Sequence, residues 1–598
     1  MDYEKLGAFY LGREVTEGDL TPTDRPLLYD SSDLTTHAVI VGMTGSGKTG
    51  LGIGLIEEAA IDGVPVLAID PKGDLGNLAL TFPHLRAEDF APWVDEREAG
   101  KAGLDVSAYA AQQADAWRAG LESWGQDGAR IERLRAAATV SVYTPGSSAG
   151  RPVSVLRSFA APGAAVLEDN DLMSDRLSAT ATGLLALLGM DPDPLGREHI
   201  LLSTLLDHAW RRGSDMSIAD LIRGVQEPPF RHIGVMDLDT VFPAKDRLKL
   251  AMALNALLAA PSFEAWTHGE PLDVQDLLYE KSGKPRVSVI TISHLSDAER
   301  MFFLTLLLSE VVAWTRTQQG TSSLRALVYI DELFGFLPPV AEPPTKRPLL
   351  TLLKQARAFG VGLALSTQNP IDLDYKALSN AGSWFIGRLQ TERDVNRLVD
   401  GLASSTGATD TAALTGTIAR LPKRTFVLHN VHDARPVTFQ TRWVMSYLAG
   451  PLSRDQLRRL SRSGGSHDAS QGDGATAGTA SAGPTELLPS HDAGSRESSR
   501  QTAAPTSPTT GGVAEPDRPI VPPHVPQLYG APASGAADAR YFPAVLGVAD
   551  VHYSSKTHNV EHGARVVRLV EPVEGPVPVA WAEGETSDLD LDDLSRDV

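Results

Sequence analysis

Short continuous runs of apolar residues recur along the chain, and stretches with helical spacing separate them. Residues 38–41 and 64–69 are two such runs, and the apolar residues between them predict a helix over 50–62. A short apolar run bounded by turn residues predicts a buried strand. A strand–helix–strand unit of this length implies parallel strands joined by a right-handed crossover. The pattern therefore predicts an α/β domain with a mainly parallel sheet.

The same pattern resumes after residue 285. Predicted strands lie at 286–292, 324–330, 360–365 and 384–388, predicted helices at 297–317 and 352–359, and a closing hairpin at 424–430 and 437–443. Between residues 85 and 285 helical spacing dominates, apart from a predicted strand at 140–143. We interpret this stretch as a largely helical insertion in the α/β core. The alternative is that its helices belong to one enlarged α/β domain.

Composition divides the rest of the chain. Residues 461–523 are rich in Gly, Ser, Ala, Thr, Pro and Asp, which predicts a disordered linker. The predicted organisation is a lead-in at 1–36, a first core segment at 37–84, the insertion at 85–285, a second core segment at 286–460, the linker at 461–523, and a small C-terminal segment with an acidic tail at 524–598.

Charge and cysteine content narrow the functional classes. The chain has 598 residues, no cysteine and a formal net charge of −21. The absence of cysteine excludes disulfides, thiolate metal sites and catalytic thiols, and it is consistent with a cytoplasmic protein. The acidic balance argues against a general nucleic-acid coat but leaves room for a local DNA channel. We predict no membrane segment, because no apolar run is long enough to span a bilayer.

A glycine-rich turn connects the first predicted strand to its helix. Its residues are Gly42, Met43, Thr44, Gly45, Ser46, Gly47, Lys48 and Thr49. They fit the P-loop pattern G-x-x-x-x-G-K-[ST], in which backbone N–H groups surround phosphate oxygens. Lys48 is then expected to reach the β- and γ-phosphates, and Thr49 to bind Mg²⁺. The sequence thus predicts binding of ATP with Mg²⁺.

Charged residues follow two other predicted strands. Asp70 and Lys72 come directly after the strand at 64–69, and Asp331 and Glu332 follow the strand at 324–330. Ligands bind at the carboxyl ends of parallel strands. An apolar strand that ends in Asp-Glu is typical of a Walker B motif, where the Asp holds the Mg²⁺ shell and the Glu polarises water. Asp70 and Lys72 are nucleotide-site candidates, with a plain strand-end turn as the alternative.

Three further polar residues are candidates for catalysis. Gln368 follows the strand at 360–365 and is expected between Walker A and Walker B, where it would sense the γ-phosphate. Arg388 ends the strand at 384–388 and is the candidate for a catalytic arginine, with Arg393 as the fallback for that role. Arginines at such positions serve as phosphate sensors or as fingers toward a neighbouring subunit, while a surface salt bridge is the alternative role.

Together these motifs resemble those of the HerA/FtsK superfamily, most closely HerA-type ATPases with the helicase core. The resemblance rests on 42–49, on Asp-Pro-Lys-Gly-Asp at 70–74, on Tyr-Ile-Asp-Glu at 329–332, and on 355–360 running into Gln368. It implies a RecA-like P-loop core, a hexameric ring, and ATP hydrolysis coupled to movement of double-stranded DNA. The 36 residues before the P-loop strand are too few for the N-terminal β-barrel that HerA proteins usually carry, and a nuclease or effector partner is expected from the resemblance alone.

We therefore expect a cytoplasmic, Mg²⁺-dependent ATPase that forms a homo-oligomer and translocates or remodels double-stranded DNA. The alternative is an ATP-gated regulatory or scaffold ATPase that acts on protein partners in defence or secretion.

Overall fold

The structure is a computed structural model of the chain. It describes residues 3–468 except 17, 156–158, 369–373, 375–380, 390, 392, 397, 399–410 and 434, together with 544–555, 560–570 and 585–586. Two compact units are present, Met1–Gly478 and Thr479–Val598. The predicted linker beyond residue 468 and the acidic tail lie outside the described residues.

The strands of the first unit are β1 (Ala8–Val15), β2 (Pro22–Asp30), β3 (Ala38–Val41), β4 (Val66–Asp70), β5 (Thr139–Tyr143), β6 (Val153–Ser154), β7 (His232–Ile233), β8 (Met236–Asp237), β9 (Glu270–Pro271), β10 (Arg286–Thr291), β11 (Ala326–Ile330), β12 (Val361–Thr367), β13 (Ser383–Ile386), β14 (Thr425–Asn430) and β15 (Val437–Thr441). The second unit contains β16 (Val545–Ser555), β17 (Val560–Val570) and β18 (Glu585–Thr586), which pair as an antiparallel sheet.

The helices are α1 (Lys48–Ile61), α2 (Ala87–Phe90), α3 (Glu96–Lys101), α4 (Val106–Ser123), α5 (Gly128–Ala137), α6 (Ala164–Leu167), α7 (Asn170–Leu187), α8 (Arg197–Trp210), α9 (Ile218–Gln226), α10 (Leu238–Val241), α11 (Ala244–Ala259), α12 (Pro261–Glu264), α13 (Val274–Leu278), α14 (Asp297–Thr317), α15 (Lys346–Gln355), α16 (Thr411–Arg420) and α17 (Arg454–Asp468). Short 3-10 helices lie at Ser31–Thr36, Leu75–Ala79, Ala91–Trp93 and Ala356–Phe359.

Among the described residues, one sheet of 11 strands dominates the first unit, in the order β2-β1-β15-β14-β13-β3-β12-β11-β4-β10-β5. The strands from β13 to β5 are parallel, and the remaining pairs are antiparallel. The P-loop strand β3 lies beside β12, and β12 lies beside the Walker B strand β11. This mainly parallel sheet confirms the predicted α/β, RecA-like P-loop core.

Both faces of the sheet are covered, as continuous apolar strands require. In β3, Val39 and Val41 belong to one hydrophobic cluster, which also contains residues of α7, α8 and α14. Ala38 and Ile40 belong to the other, with residues of α1, α4 and α5. Side chains in a strand alternate between faces, so a four-residue apolar run contributes to two cores at once.

The predicted lead-in and insertion both supply strands to this sheet. β1, from the lead-in, pairs with β15, and β2 pairs with β1. β5, from the stretch predicted as the insertion, pairs in parallel with β10 at the far edge. The domain boundaries drawn from the sequence remain predictions. None of the described helices is long and apolar enough to cross a membrane.

Candidate functional site

The turn between β3 and α1 has the backbone shape that its glycines predict. Gly45 and Gly47 have φ of 77° and 106°, in the region that favours glycine. A Cβ at Gly47 would lie 3.1 Å from Arg424 Cα. The Met43 N–H donates to the Arg388 carbonyl at 2.7 Å, and the Gly42 N–H donates to the Thr367 carbonyl at 3.3 Å. Neighbouring strand ends therefore hold the loop in place.

Lys48 folds back onto its own loop. Its side chain is buried at 7% exposure, and its Nζ donates to the carbonyl of Gly42 and, at 3.1 Å, to that of Met43. No described carboxylate forms an ion pair with it. Burial, and next the nearby Lys72 ammonium, lower the Lys48 pKa to about 8. A buried cation that only carbonyls satisfy is suited to receive an anion.

Asp331 ends β11 with one carboxylate oxygen unpaired. The side chain is 1% exposed, and its Oδ1 accepts from the Tyr329 hydroxyl at 3.2 Å. Its Oδ2 is buried without a hydrogen-bond partner among the described residues. Burial raises the Asp331 pKa. Buried polar atoms are nearly always paired, so this oxygen has the character of a ligand for a cation or a water.

Glu332 adopts a left-handed backbone and binds two neighbouring loops. Its φ is 71°, which is costly for a residue with a Cβ. Its Oε2 accepts from Lys72 Nζ at 2.8 Å and from Gln368 Nε2 at 2.6 Å. Its Oε1 accepts from the Thr367 hydroxyl at 3.5 Å. The strained backbone is held by these contacts from the ends of β4 and β12.

Gln368 lies between the two Walker motifs, as its strand position predicts. Its Nε2 donates to Glu332, and its Oε1 accepts from the Thr44 hydroxyl of the P-loop. The structure thus brings Thr44, Gln368, Glu332 and Lys72 into one chain of contacts at the carboxyl ends of β3, β12, β11 and β4. The role of Gln368 as a γ-phosphate sensor stays a prediction.

Asp70 holds its own loop. Its Oδ1 accepts from the N–H groups of Gly73 at 2.7 Å and Asp74 at 3.2 Å, and its Oδ2 accepts from Leu75 N–H at 3.0 Å. Burial raises its pKa to about 6. These contacts favour the strand-end turn, and they place the adjoining Lys72 where it meets Glu332. Direct contact of Asp70 with a nucleotide stays a prediction.

Arg388 and Arg393 have exposed side chains. The Arg388 backbone supports the P-loop through its carbonyl, while neither guanidinium has a hydrogen-bond or ion-pair partner among the described residues. The choice between them as the catalytic arginine stays a prediction.

Arg424 supports the P-loop and was missed from the sequence. Its backbone N–H donates to the Ser46 carbonyl at 2.8 Å, with φ of 63°. Its guanidinium lies 5.0 Å from the ring centre of Trp443 and donates to the Thr441 carbonyl at 2.7 Å. The sequence offers no signal for this contact, because Arg424 is separated from the P-loop by more than 370 positions.

Comparison with known proteins agrees with the motifs. Residues 15–121 match the family model described as "Helicase HerA, central domain". This confirms the resemblance to HerA/FtsK-type P-loop ATPases. No curated protein sequence matches the chain.

Three solved structures are among those similar to the chain. VirB4 of Thermoanaerobacter pseudethanolicus is 12% identical over 74% of this chain and 98% of its own, with a TM-score of 0.43. The plasmid coupling protein TrwB in complex with ADP and Mg²⁺ is 13% identical over 75% and 97%, with a TM-score of 0.43. The genome packaging NTPase B204 from Sulfolobus turreted icosahedral virus 2 is 15% identical over 26% and 69%, with a TM-score of 0.19.

Proposed function

We propose that this chain is a Mg²⁺-dependent ATPase. The observation that carries the proposal is a pair of buried charged groups, at one edge of the sheet, that lack charged partners among the described residues. Lys48 is a buried cation that only loop carbonyls satisfy, and Asp331 presents a buried carboxylate oxygen without a partner among the described residues. A nucleotide phosphate and its cation complete these two groups at once.

The residues present fit a Mg²⁺ that arrives with the nucleotide. Among the described residues no group of three His, Cys, Asp or Glu could hold a metal alone. Asp331 Oδ2 and the Thr49 hydroxyl would hold the ion, with the remaining oxygens supplied by water and phosphate. When bound, Mg²⁺ neutralises phosphate charge and orients the terminal phosphoryl group.

The protein groups have distinct tasks in hydrolysis. The P-loop N–H groups and Lys48 bind the β- and γ-phosphates. Glu332 orients a water and takes its proton as the water oxygen bonds to the γ-phosphorus. The bond from the γ-phosphorus to the bridging oxygen breaks, which gives ADP and inorganic phosphate. Gln368 links the P-loop to Glu332 and reports an occupied γ-phosphate position.

We further propose that the ATPase is a ring-forming motor on double-stranded DNA. The match to a HerA central domain supports this, and so does the exposed Arg388, whose backbone carbonyl contacts the P-loop. Arg388 would complete the active site of a neighbouring subunit, a contribution worth about 10³–10⁵ in rate for such arginines. The net charge of −21 favours the alternative, an ATPase that acts on protein partners.

ATPase rates test the activity and its substrate. We expect hydrolysis by the unmutated protein, little turnover by Glu332→Gln despite retained ATP binding, and stimulation by long duplex DNA that falls steeply with salt. Equal hydrolysis by Glu332→Gln would remove Glu332 from the role of base. A rate that ignores duplex DNA at low salt would favour a protein partner.

Mixing variants tests the contribution of a neighbour. Arg388→Ala should bind ATP and turn it over slowly. Combined with Lys48→Ala it should regain activity, because some interfaces then join an intact P-loop to an intact arginine. Arg393→Ala, mixed in the same way, tests the fallback arginine. Mixed oligomers without regained activity would show that Arg388 does not act across the interface.

A further inference from the structure

The carboxylate proposed as the base is already paired. Glu332 Oε2 receives Lys72 Nζ at 2.8 Å and Gln368 Nε2 at 2.6 Å. These two donors occupy the lone pairs of Oε2, while Oε1 accepts from the Thr367 hydroxyl at 3.5 Å. Oε2 can therefore take a proton from water only after Lys72 or Gln368 leaves it.

Lys72 is placed to move toward a phosphate. Its side chain is one-third exposed, at 33%, whereas Glu332 is more buried at 16%. Through Glu332 and Gln368, Lys72 is linked to Thr44 of the P-loop. A γ-phosphate bound by the P-loop would place a second anion near this ammonium, beside the Glu332 carboxylate.

The loop that carries Lys72 is held by backbone contacts, whereas the Lys72 side chain extends from the loop to Glu332. Asp70 binds three successive backbone N–H groups, from Gly73 to Leu75, so the turn itself is held. The long Lys72 side chain can therefore change partner without movement of the backbone. A flexible stem with a compact charge suits such an exchange.

We propose that Lys72 is a shared cation, which neutralises Glu332 when no γ-phosphate is present and transfers to the γ-phosphate when ATP binds. This rests on the proposed ATPase function and adds a control to it. The base becomes available only when ATP is bound, and ADP leaves the pair closed. Lys72 is thus a positioning residue that gives preference for the triphosphate.

Binding measurements separate this role from a structural one. With a non-hydrolysable ATP analogue and with ADP, each with Mg²⁺, we expect Lys72→Met to weaken analogue binding about tenfold or more and ADP binding less than twofold. Lys72→Arg should recover most of the preference. Lys101→Met is the matched control, because Lys101 pairs with Glu98 on an exposed surface.

The same measurements on Glu332→Gln give a second readout. Without the ion pair, Lys72 is free before binding, so analogue affinity should rise by up to about fivefold while ADP affinity is unchanged. The rise should vanish in the Glu332→Gln, Lys72→Met double variant. Equal losses for analogue and ADP in Lys72→Met, or a rise that persists in the double variant, would overturn the proposal.

Failure of the proposed function has a different signature. If the unmutated protein neither binds the analogue nor hydrolyses ATP, the ATPase proposal fails. If it hydrolyses ATP while Lys72→Met keeps the preference for the triphosphate, only the exchange of Lys72 fails.

Discussion

The buried charged residues at the two ends of helix α1 differ in their partners. At its start, Lys48 has only loop carbonyls as partners, and the adjacent Asp331 keeps one oxygen unpaired among the described residues. Near its end, Glu57 and Glu58 are buried and fully engaged. Arg442 pairs with Glu57 at 2.8 Å and with Glu58 at 2.7 Å.

The cluster at the end of α1 has a partner for every charge. Glu57 also accepts from the N–H groups of Met445 and Ser446, and Glu58 accepts from Tyr10 N–H and from Arg130. A buried charge is tolerated when it is paired and hydrogen-bonded. The same helix therefore joins distant segments of the unit at one end and leaves charges for a ligand at the other. All these charged groups are buried, so burial does not separate the two ends of the helix. The presence of charged partners indicates a structural role, and their absence indicates a candidate ligand site.

Removing the charge at the start of α1 gives the largest effect on function. Lys48→Ala should weaken nucleotide binding about 100-fold or more, because phosphate oxygens lose a buried ammonium. The melting temperature of this variant should stay level or rise, since a buried cation without a carboxylate partner is costly in the free protein. Nucleotide titration and thermal melts check this, with Lys101→Ala as the exposed control. A large fall in melting temperature would mean that Lys48 stabilises the fold.

Breaking the cluster at the end of α1 should lower the stability of the fold and leave nucleotide binding nearly unchanged. Arg442→Met leaves Glu57 without its ion pair and Glu58 with one arginine, which should lower the free energy of unfolding by about 3–5 kcal/mol. Nucleotide affinity of the folded protein should change less than about twofold. Urea unfolding measures the first and titration the second. Arg133→Met is the control, because this half-exposed arginine at the rim should cost at most about 1 kcal/mol.

Features that depend on a local sequence pattern could be predicted. Apolar runs placed β3, β4, β10, β11 and β12, because a buried parallel strand is a local pattern. The P-loop and Asp-Glu motifs predict a candidate site, because ligand chemistry restricts residue types over short spacings. The predicted helix at 297–317 coincides with α14, whose start carries a capping box at Ser296 and Glu299.

Long-range pairing was beyond the sequence. The lead-in became β1 and β2 because β15 offers an antiparallel edge more than 420 residues away, and no local signal encodes that distance. The cluster around Arg442 and the support from Arg424 depend on the same kind of contact. Asp70 was correctly placed at a strand end, but its binding to loop N–H groups follows from a turn geometry that the residue types alone leave open.

The pH dependence of nucleotide binding tests the charge of Lys48 at the start of α1 without a substitution, and we expect a smaller effect. The Lys48 pKa is lowered to about 8 in the free protein, and bound phosphate favours the protonated form. Binding therefore takes up a proton above pH 8, and the dissociation constant should rise with pH by up to about tenfold per unit. Titrations between about pH 7 and 9.5 measure this. Lys48→Arg should lose the dependence in this range, since arginine stays charged.

The smallest effect concerns the backbone of Glu332. Its φ of 71° favours glycine, whereas helix positions favour alanine. Glu332→Gly and Glu332→Ala both remove the carboxylate, so their difference in unfolding free energy isolates the backbone. We expect the glycine variant to be more stable by about 1 kcal/mol. At the exposed helical position Glu132 in α5, the same pair should show the opposite sign, by about 1 kcal/mol. If the alanine variant were as stable as the glycine variant at residue 332, the left-handed backbone would carry no energetic cost. The contacts of Glu332 with Lys72 and Gln368 would then not be needed to stabilise that backbone.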